Sequence, residues 1–245
     1  MTKTIILIPS RLAASRLPNK PLLKINNKSL INHVYEKGEA SNIGDVYVAT
    51  SDKEIFDEVI SNNGKYILTQ KNHSTGTDRI FEAYENLKRN DVDYIINLQG
   101  DEPLIDTNDI INLNKLAIKY NSEIATLATQ LQEQDMNNPN IVKVVCDQNI
   151  EKNQLYTAKN FLRNIENDKK GNIFHHIGIY IFKVSVLKKF VGLKQSFNEI
   201  NLKLEQLRAL DNKIKIEVVL ANSKPIGVDT EEDYMEIKKL MEYKS

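Results

Sequence analysis

The chain has 245 residues, 41% hydrophobic and 27% charged, and its 33 Lys+Arg balance 33 Asp+Glu to a formal net charge of zero. A protein held on duplex nucleic acid by bulk electrostatics carries a basic excess, because each neutralised phosphate releases counterions, and no such excess exists here. Mean hydropathy is −0.42, and the longest apolar runs, such as Ile5 to Pro9, fall far short of the ~20 residues that span a bilayer. A soluble protein that binds neither nucleic acid nor membrane is predicted.

Strand-length runs rich in Ile, Val and Tyr occur at Thr4–Pro9, Asp45–Thr50, Lys65–Thr69 and Tyr94–Gln99. Helix-period segments separate them at Ser29–Ser41, Lys53–Asn62 and Asp78–Arg89, the last placing Ile80, Ala83, Tyr84 and Leu87 on one face. The pattern continues with a helix near Thr107–Tyr120, strands near Ile124–Leu131, Ile141–Asp147 and His176–Lys183, a helix near Asn201–Asp211, a strand near Lys215–Ala221 and a closing helix from Thr230. Such alternation predicts an α/β fold, a mostly parallel Rossmann-like sheet with helices on both faces. The length suits a single domain over residues 1–245, on a prior of roughly 100–200 residues per domain. The polar stretch at about 148–175 reads as an inserted arm or flap able to pack on another subunit.

One cysteine, Cys146, cannot form an internal disulfide, which fits a reducing compartment, and its apolar run marks it as core filler rather than nucleophile. The N-terminus enters Ile5-Ile6-Leu7-Ile8 without the longer apolar region of a signal peptide, so a cytoplasmic protein is expected.

In an open parallel sheet ligands gather at the carboxyl ends of the strands. After the first strand, Ser10 to Lys20 carries Arg11, Arg16 and Lys20 on a loop stiffened by proline. Read alone, this is either a phosphate clamp, Arg by its fork and Lys as a point charge, or a solvated basic turn; it lacks the glycines of a Walker loop. The fourth strand delivers Gln99-Gly100-Asp101, where Asp101 either holds Mg²⁺ beside a phosphate or caps a turn. In Gly227-Val228-Asp229-Thr230, Thr230 looks like a helix N-cap with acids in the following turn, which leaves Asp229 as the second metal candidate. The loop His73 to Arg79, with Ser74, Gly76 and Thr77, suits a base or ribose edge, or merely caps a helix; Thr50-Ser51-Asp52 resembles it.

Taken in order, Ile8-Pro9-Ser10-Arg11, Ser15 to Leu22, Ala49-Thr50-Ser51-Asp52, Ser74 to Arg79, Asn97 to Pro103, His176 to Tyr180, Leu204 to Arg208 and Gly227 to Thr230 resemble the 3-deoxy-manno-octulosonate (Kdo) cytidylyltransferases across nearly the whole chain. The resemblance implies transfer of a cytidylyl group from CTP to Kdo, in lipopolysaccharide or capsule biosynthesis, by a Mg²⁺-dependent homodimer. It implies that Arg11, Lys20, Asp101 and Asp229 are catalytic, with Asp101 and Asp229 as metal ligands. CTP would lie among Ser10, Arg11, Arg16, Lys20, Ser51, Ser74, Gly76, Arg79 and Gln99. The sugar acid would face Gln99, Lys159, His176, Tyr180, Glu205 and Gln206; His176 is alternatively a structural histidine.

One segment departs from the family: Leu155 to Arg163 places Lys159 where an arginine that helps hold the sugar carboxylate is usual, and lacks the usual proline. Lysine supplies charge without the bidentate fork, and Arg163 offers a substitute. The alternatives are therefore a cytidylyltransferase for another ulosonic acid, or an inactive CTP-binding paralogue. The zero net charge conceals a local asymmetry: residues 1–35 contain no Asp or Glu, while Lys3, Arg11, Arg16, Lys20, Lys24 and Lys28 are all present.

Overall fold

The computed structural model describes the chain except residues 1, 14, 15, 166–171, 225, 244 and 245. The chain packs as two compact units, Met1–Ile110 with Lys224–Ser245, and Ile111–Ser223.

In the first unit, β1 (Thr4–Pro9), β4 (Val46–Thr50), β5 (Tyr66–Leu68) and β6 (Tyr94–Asn97) pair in the order β5-β4-β1-β6, every pair parallel. Ile6 faces Val46, and Thr4 faces Tyr94 across the ladders. Parallel strands need a crossover; α1 (Leu30–Ala40), α2 (Lys53–Ser61) and α3 (Gly76–Leu87) provide them. β1 and β6 are buried throughout or nearly so, which explains why they read as continuous apolar runs rather than alternating ones. Between β1 and α1 the chain inserts a hairpin, β2 (Lys24–Ile25) and β3 (Lys28–Ser29), which periodicity does not reveal. Its two turn residues, Asn26 at φ 48° and Asn27 at φ 62°, adopt the left-handed pair that a two-residue hairpin turn requires. The closing helix α8 (Glu231–Glu242) packs Tyr234 and Ile237 on Leu17, Ile25, Leu30 and Val228.

α4 (Thr107–Tyr120) has the bounds read from the sequence. The second unit contains β7 (Ile124–Gln130), β8 (Lys143–Cys146), β9 (Tyr156–Leu162), β10 (Ile173–Lys183) and β11 (Ile216–Leu220). Here the mostly parallel expectation is corrected: only β11–β7 is parallel, while β10–β7, β10–β8, β11–β9 and β8–β9 are antiparallel. The reason is connectivity, because among the described residues no α-helix lies between β7 and β10 to carry a parallel crossover. Each of these five strands pairs with two of the others, so their ladder closes and protects its own edges. The segment read as an arm contributes β9 to this ladder, and residues 166–171 within it lie outside the described residues.

α5 (Val184–Val191) follows β10, and the helix expected near Asn201–Asp211 is two short ones, α6 (Phe197–Leu202) and α7 (Leu207–Asp211). Lys203 at φ 52° ends the first, and the buried Arg208–Glu199 ion pair at 2.6 Å links the two. Cys146 is buried and its thiol is pushed up to about 12 by burial, as befits filler.

Gly44 marks where the turn before β4 approaches β1 most closely: a Cβ there would lie 2.0 Å from the Thr4 carbonyl oxygen. Gly44→Ala is therefore expected to cost about 1–3 kcal/mol by overpacking, seen as a lower urea midpoint at unchanged slope; an unchanged midpoint would contradict the close approach.

Candidate active site

The carboxyl ends of β1, β4, β5 and β6 open onto loops that, together with the first turn of α3, carry the residues expected to contact CTP. The loop after β1 is held at several points. Ser10 N donates to Ala49 O at 2.9 Å, and Leu12 N donates to Asp52 Oδ2 at 2.7 Å. Asn19, at φ 56°, turns the chain into the short 3-10 turn Lys20–Leu22. Between the cations Arg16 and Lys20, Leu17 is buried in the same apolar cluster as Val228, the residue before Asp229. This shared cluster ties the basic loop to the carboxylate loop. Backbone bonding completes the arrangement, with Val228 N donating to Asp101 O at 2.9 Å.

The charges meet at Lys20. Its Nζ donates to Asp101 Oδ2 at 2.7 Å, to the Val228 carbonyl oxygen at 2.7 Å and to Asp229 Oδ1 at 3.4 Å. Arg16 lies 3.1 Å from the other oxygen of Asp229. Burial pulls the Lys20 pKa down, but Asp101 and Asp229 together outweigh it and hold the ammonium above its ordinary range. Thr230 caps α8 in a capping box with Asp233, whose carboxylate also accepts from the Asp229 N–H at 3.0 Å and so fixes the Asp229 backbone.

A cavity of about 470 Å³ is lined by Ser10, Arg11, Arg16, Lys20, Gly76, Arg79, Gln99, Asp101 and Asp229. Ser51 and Ser74 line a neighbouring cavity of about 350 Å³, which Arg11 and His73 share with the first. The Ser10 hydroxyl is buried without a hydrogen-bond partner, a group that a polar ligand would satisfy. Gly76 opens α3; a Cβ there would meet Pro9 Cγ at 3.2 Å and narrow the cavity. Gln99 donates through Nε2 to Asn97 Oδ1 at 3.0 Å, and Asn97 in turn donates to Thr77. That chain turns the Gln99 carbonyl oxygen toward Gly76. Arg79 is buried, and its guanidinium donates to Thr69 Oγ1, Gln70 O and Lys71 O. These bonds shape the loop wall of the cavity, so its hydrogen bonds organise the loop rather than project from it.

The residues expected to face the sugar, Gln99 apart, all belong to the second unit. Lys159 is exposed at a register shift of β9, where Val145 pairs with Asn160 and Cys146 with Ala158, leaving Lys159 unpaired in the ladder. Such a bulge re-aims a side chain. A second shift falls in β10 between Ile177 and Tyr180. His176 is buried and contacts Tyr180, with ring centroids 5.4 Å apart. Glu205 is half-buried and Gln206 buried at the entry to α7. Arg163, the proposed substitute for the family arginine, spends its guanidinium on the carbonyls of Leu202, Pro139 and Lys203 at 2.8–3.1 Å. It is a strap rather than a free fork.

Sequence reasoning misses Asp52 and Asn97 as supports, because nothing local marks a carboxylate that reaches a backbone N–H 40 residues away. It also names Ser74 and Thr77 as caps where Thr75 caps α3 in a box with Asp78; the Thr-x-x-Asp spacing was the available signal.

A parallel unit whose strand-end loops oppose cations to a carboxylate pair belongs to the α/β nucleotidyltransferase fold. A UDP-glucose pyrophosphorylase complexed with UDP-glucose shares that fold, with a TM-score of 0.73 over the whole of both chains at 13% identity. The cytidylyltransferase family profile matches residues 5–216. The chain is 44% identical to a 3-deoxy-manno-octulosonate cytidylyltransferase of Thermodesulfovibrio yellowstonii over 94% of both chains, and 36% identical to that of Bartonella bacilliformis over 98% of both. A solved CMP:2-keto-3-deoxy-manno-octonic acid synthetase complexed with CTP superposes with a TM-score of 0.88 at 34% identity, covering both chains in full. The chain belongs to the 3-deoxy-manno-octulosonate cytidylyltransferase family.

His176 carries a pH consequence. Burial, with His175 beside it, pushes its pKa down to about 3, so the ring is neutral, and its Nε2 lies 3.0 Å from Thr126 Oγ1. Thr126 donates its one proton best to Ile179 O at 2.7 Å, so His176 is assigned as the donor to Thr126. The unfolded ring titrates near pH 6.5, so between about pH 6.5 and 3 the unfolded chain holds a proton that the folded chain refuses. The stability from neutral His176 is complete above pH 6.5 and is expected to fall by about 1.4 kcal/mol per pH unit below it. Urea titrations at pH 7 and 5 should show that loss, and His176→Asn should remove about one proton's worth of the slope.

Proposed function

We propose that the chain transfers a cytidylyl group from CTP to 3-deoxy-D-manno-octulosonate, releasing pyrophosphate, for lipopolysaccharide or capsule assembly. The observation that carries this reading is the opposed charge cluster of Lys20 and Arg16 against Asp101 and Asp229 within one cavity that Arg11 also lines. In the reaction the anomeric 2-hydroxyl attacks the α-phosphorus of CTP and gives up its proton to solvent, while the bond from the α-phosphorus to the α–β bridging oxygen breaks to release pyrophosphate. No side chain need become a covalent nucleophile, because this transfer asks for positioning and charge neutralisation. Arg11, Arg16 and Lys20 hold the phosphates and draw off the charge of the leaving group. Ser10 and Gln99 offer oriented polar groups to the nucleoside, and Gly76 gives it room.

Asp101 and Asp229 would hold Mg²⁺. Two hard carboxylates suit a cation that keeps several waters and takes phosphate oxygens. Among the described residues no cluster of three or more His, Cys, Asp or Glu could hold a metal; phosphate oxygens of the nucleotide and water would complete the shell. When bound, the ion neutralises phosphate charge and lowers the pKa of the attacking hydroxyl. For the acceptor, Lys159 at its bulge supports the carboxylate-binding role. Exposed Phe197 and Ile200 on α6 support a homodimer, checked by light scattering at about twice 28.1 kDa. A cytoplasmic location agrees with the single buried cysteine, and no described helix is long and apolar enough to cross a membrane.

Pyrophosphate release with CTP, Mg²⁺ and a panel of ulosonic acids tests the reading: turnover is expected with Kdo, and turnover only with another acid would replace the acceptor. Asp101→Asn removes metal charge and little volume, so kcat should drop about a hundred-fold or more at unchanged melting temperature. Lys159→Met should raise KM for the sugar about ten-fold, equivalent to about 1.4 kcal/mol. Arg163→Met, by contrast, should lower stability by about 1–2 kcal/mol with KM unaltered, because three carbonyls lose their donor.

A further inference from the structure

Lys20 carries an inference that rests on the cytidylyl-transfer reading and goes beyond it. An ammonium has three N–H donors. All three of Lys20 are committed, to Asp101 Oδ2, to the Val228 carbonyl and, at longer range, to Asp229 Oδ1. The second oxygen of Asp229 is committed to Arg16. The cations that must hold phosphate are thus bonded to three of the four carboxylate oxygens that would hold a divalent ion, Asp101 Oδ2 and both oxygens of Asp229. One arrangement cannot serve both tasks, since an ammonium and a metal ion on the same oxygens repel each other and leave the phosphates without donors.

We propose that Lys20 and Arg16 are exchange partners: they release Asp101 and Asp229 to the metal as they take the phosphates, so metal and nucleotide enter together and neither binds well alone. Charge supports the exchange, because Arg16 and Lys20 already balance Asp101 and Asp229, and Arg11 and Arg79 line the same cavity. A divalent ion alone adds positive charge to a lining whose carboxylates are already neutralised, whereas a magnesium nucleotide brings its own anion. The backbone can stay in place during the exchange. Lys20 N donates to Leu17 O and Leu23 N to Lys20 O, with Pro21 between them, which leaves the movement to the four-carbon side chain. Arg16 is 54% exposed and free to turn.

Metal affinity tests the exchange directly. Mn²⁺ is titrated by electron paramagnetic resonance into the full chain without nucleotide, as wild type and as Lys20→Met, and CTP binding to both is measured by calorimetry in EDTA. Lys20→Met is expected to bind Mn²⁺ about ten-fold more tightly than wild type, within the usual range of coupling between sites, and CTP about ten-fold more weakly. Equal Mn²⁺ affinities, or weaker binding by the variant, overturn the exchange. Should Lys20→Met not fold, Arg16→Gln at its half-exposed position takes its place. The expected gain there is about two- to three-fold, in keeping with a partly solvated pair, and no gain overturns the proposal. The underlying reading fails separately, if wild type neither binds CTP nor releases pyrophosphate with any ulosonic acid.

Discussion

A half-buried ammonium holds the first unit together at its working end. Lys20 bonds to the end of the β6 loop through Asp101 and to the approach of α8 through Val228 and Asp229, so it joins segments more than 200 residues apart. Exposed ion pairs contribute little, because solvent screens them and ordering long side chains costs entropy. This one differs because Lys20 is only 15% exposed and each of its protons has an acceptor. Leu17, near Lys20 in the chain, and Val228, at its acceptor, are both buried in one apolar cluster. Packing positions the loops and charge selects their spacing; neither would do so alone.

The second unit uses its cations differently. Lys143, Arg163 and Arg208 are spent on structure. Lys143 bonds the carbonyls of Asn138 and Arg163, and burial lowers its pKa. Arg208 is bidentate to Glu199 and lies over the Phe190 ring at 4.6 Å. Burial alone would raise the Glu199 pKa, but Arg208, Gln195 and the Ser196 N–H outweigh it and hold the carboxylate ionised. A charged side chain near a strand end is therefore not by itself a ligand. What separates Lys159 from Arg163 is whether its donors are already occupied.

The abundance of asparagine also has a structural outlet. Ten described residues other than glycine have positive φ, and seven of them are Asn: 19, 26, 27, 42, 63, 121 and 153. No described glycine does. Asparagine tolerates the left-handed region through local hydrogen bonding, so this chain turns its corners on Asn and keeps glycine for close approaches at Gly44, Gly76 and Gly100.

Several features were legible in the residues alone: the buried parallel strands, the bounds of β1 and α4, the capping of α8, and the cations and carboxylates that line the cavity of the first unit. All of these depend on local patterns, either hydrophobic periodicity or motifs within a dozen residues. The closed, largely antiparallel ladder, the break at Lys203, the hairpin at Asn26-Asn27 and the hydrogen bonds of Asp52, Arg79 and Arg163 were not. β9 escaped notice because its bulge at Lys159 breaks the period of two, burying Tyr156, Ala158 and Phe161 out of step. Sequence by itself determined which groups are present and which strands are buried, because burial on both faces leaves a mark at every position of a strand. Tertiary structure alone decided which cations are free to meet a ligand, because hydrogen-bond partners 40 to 200 residues apart leave no mark in either neighbourhood.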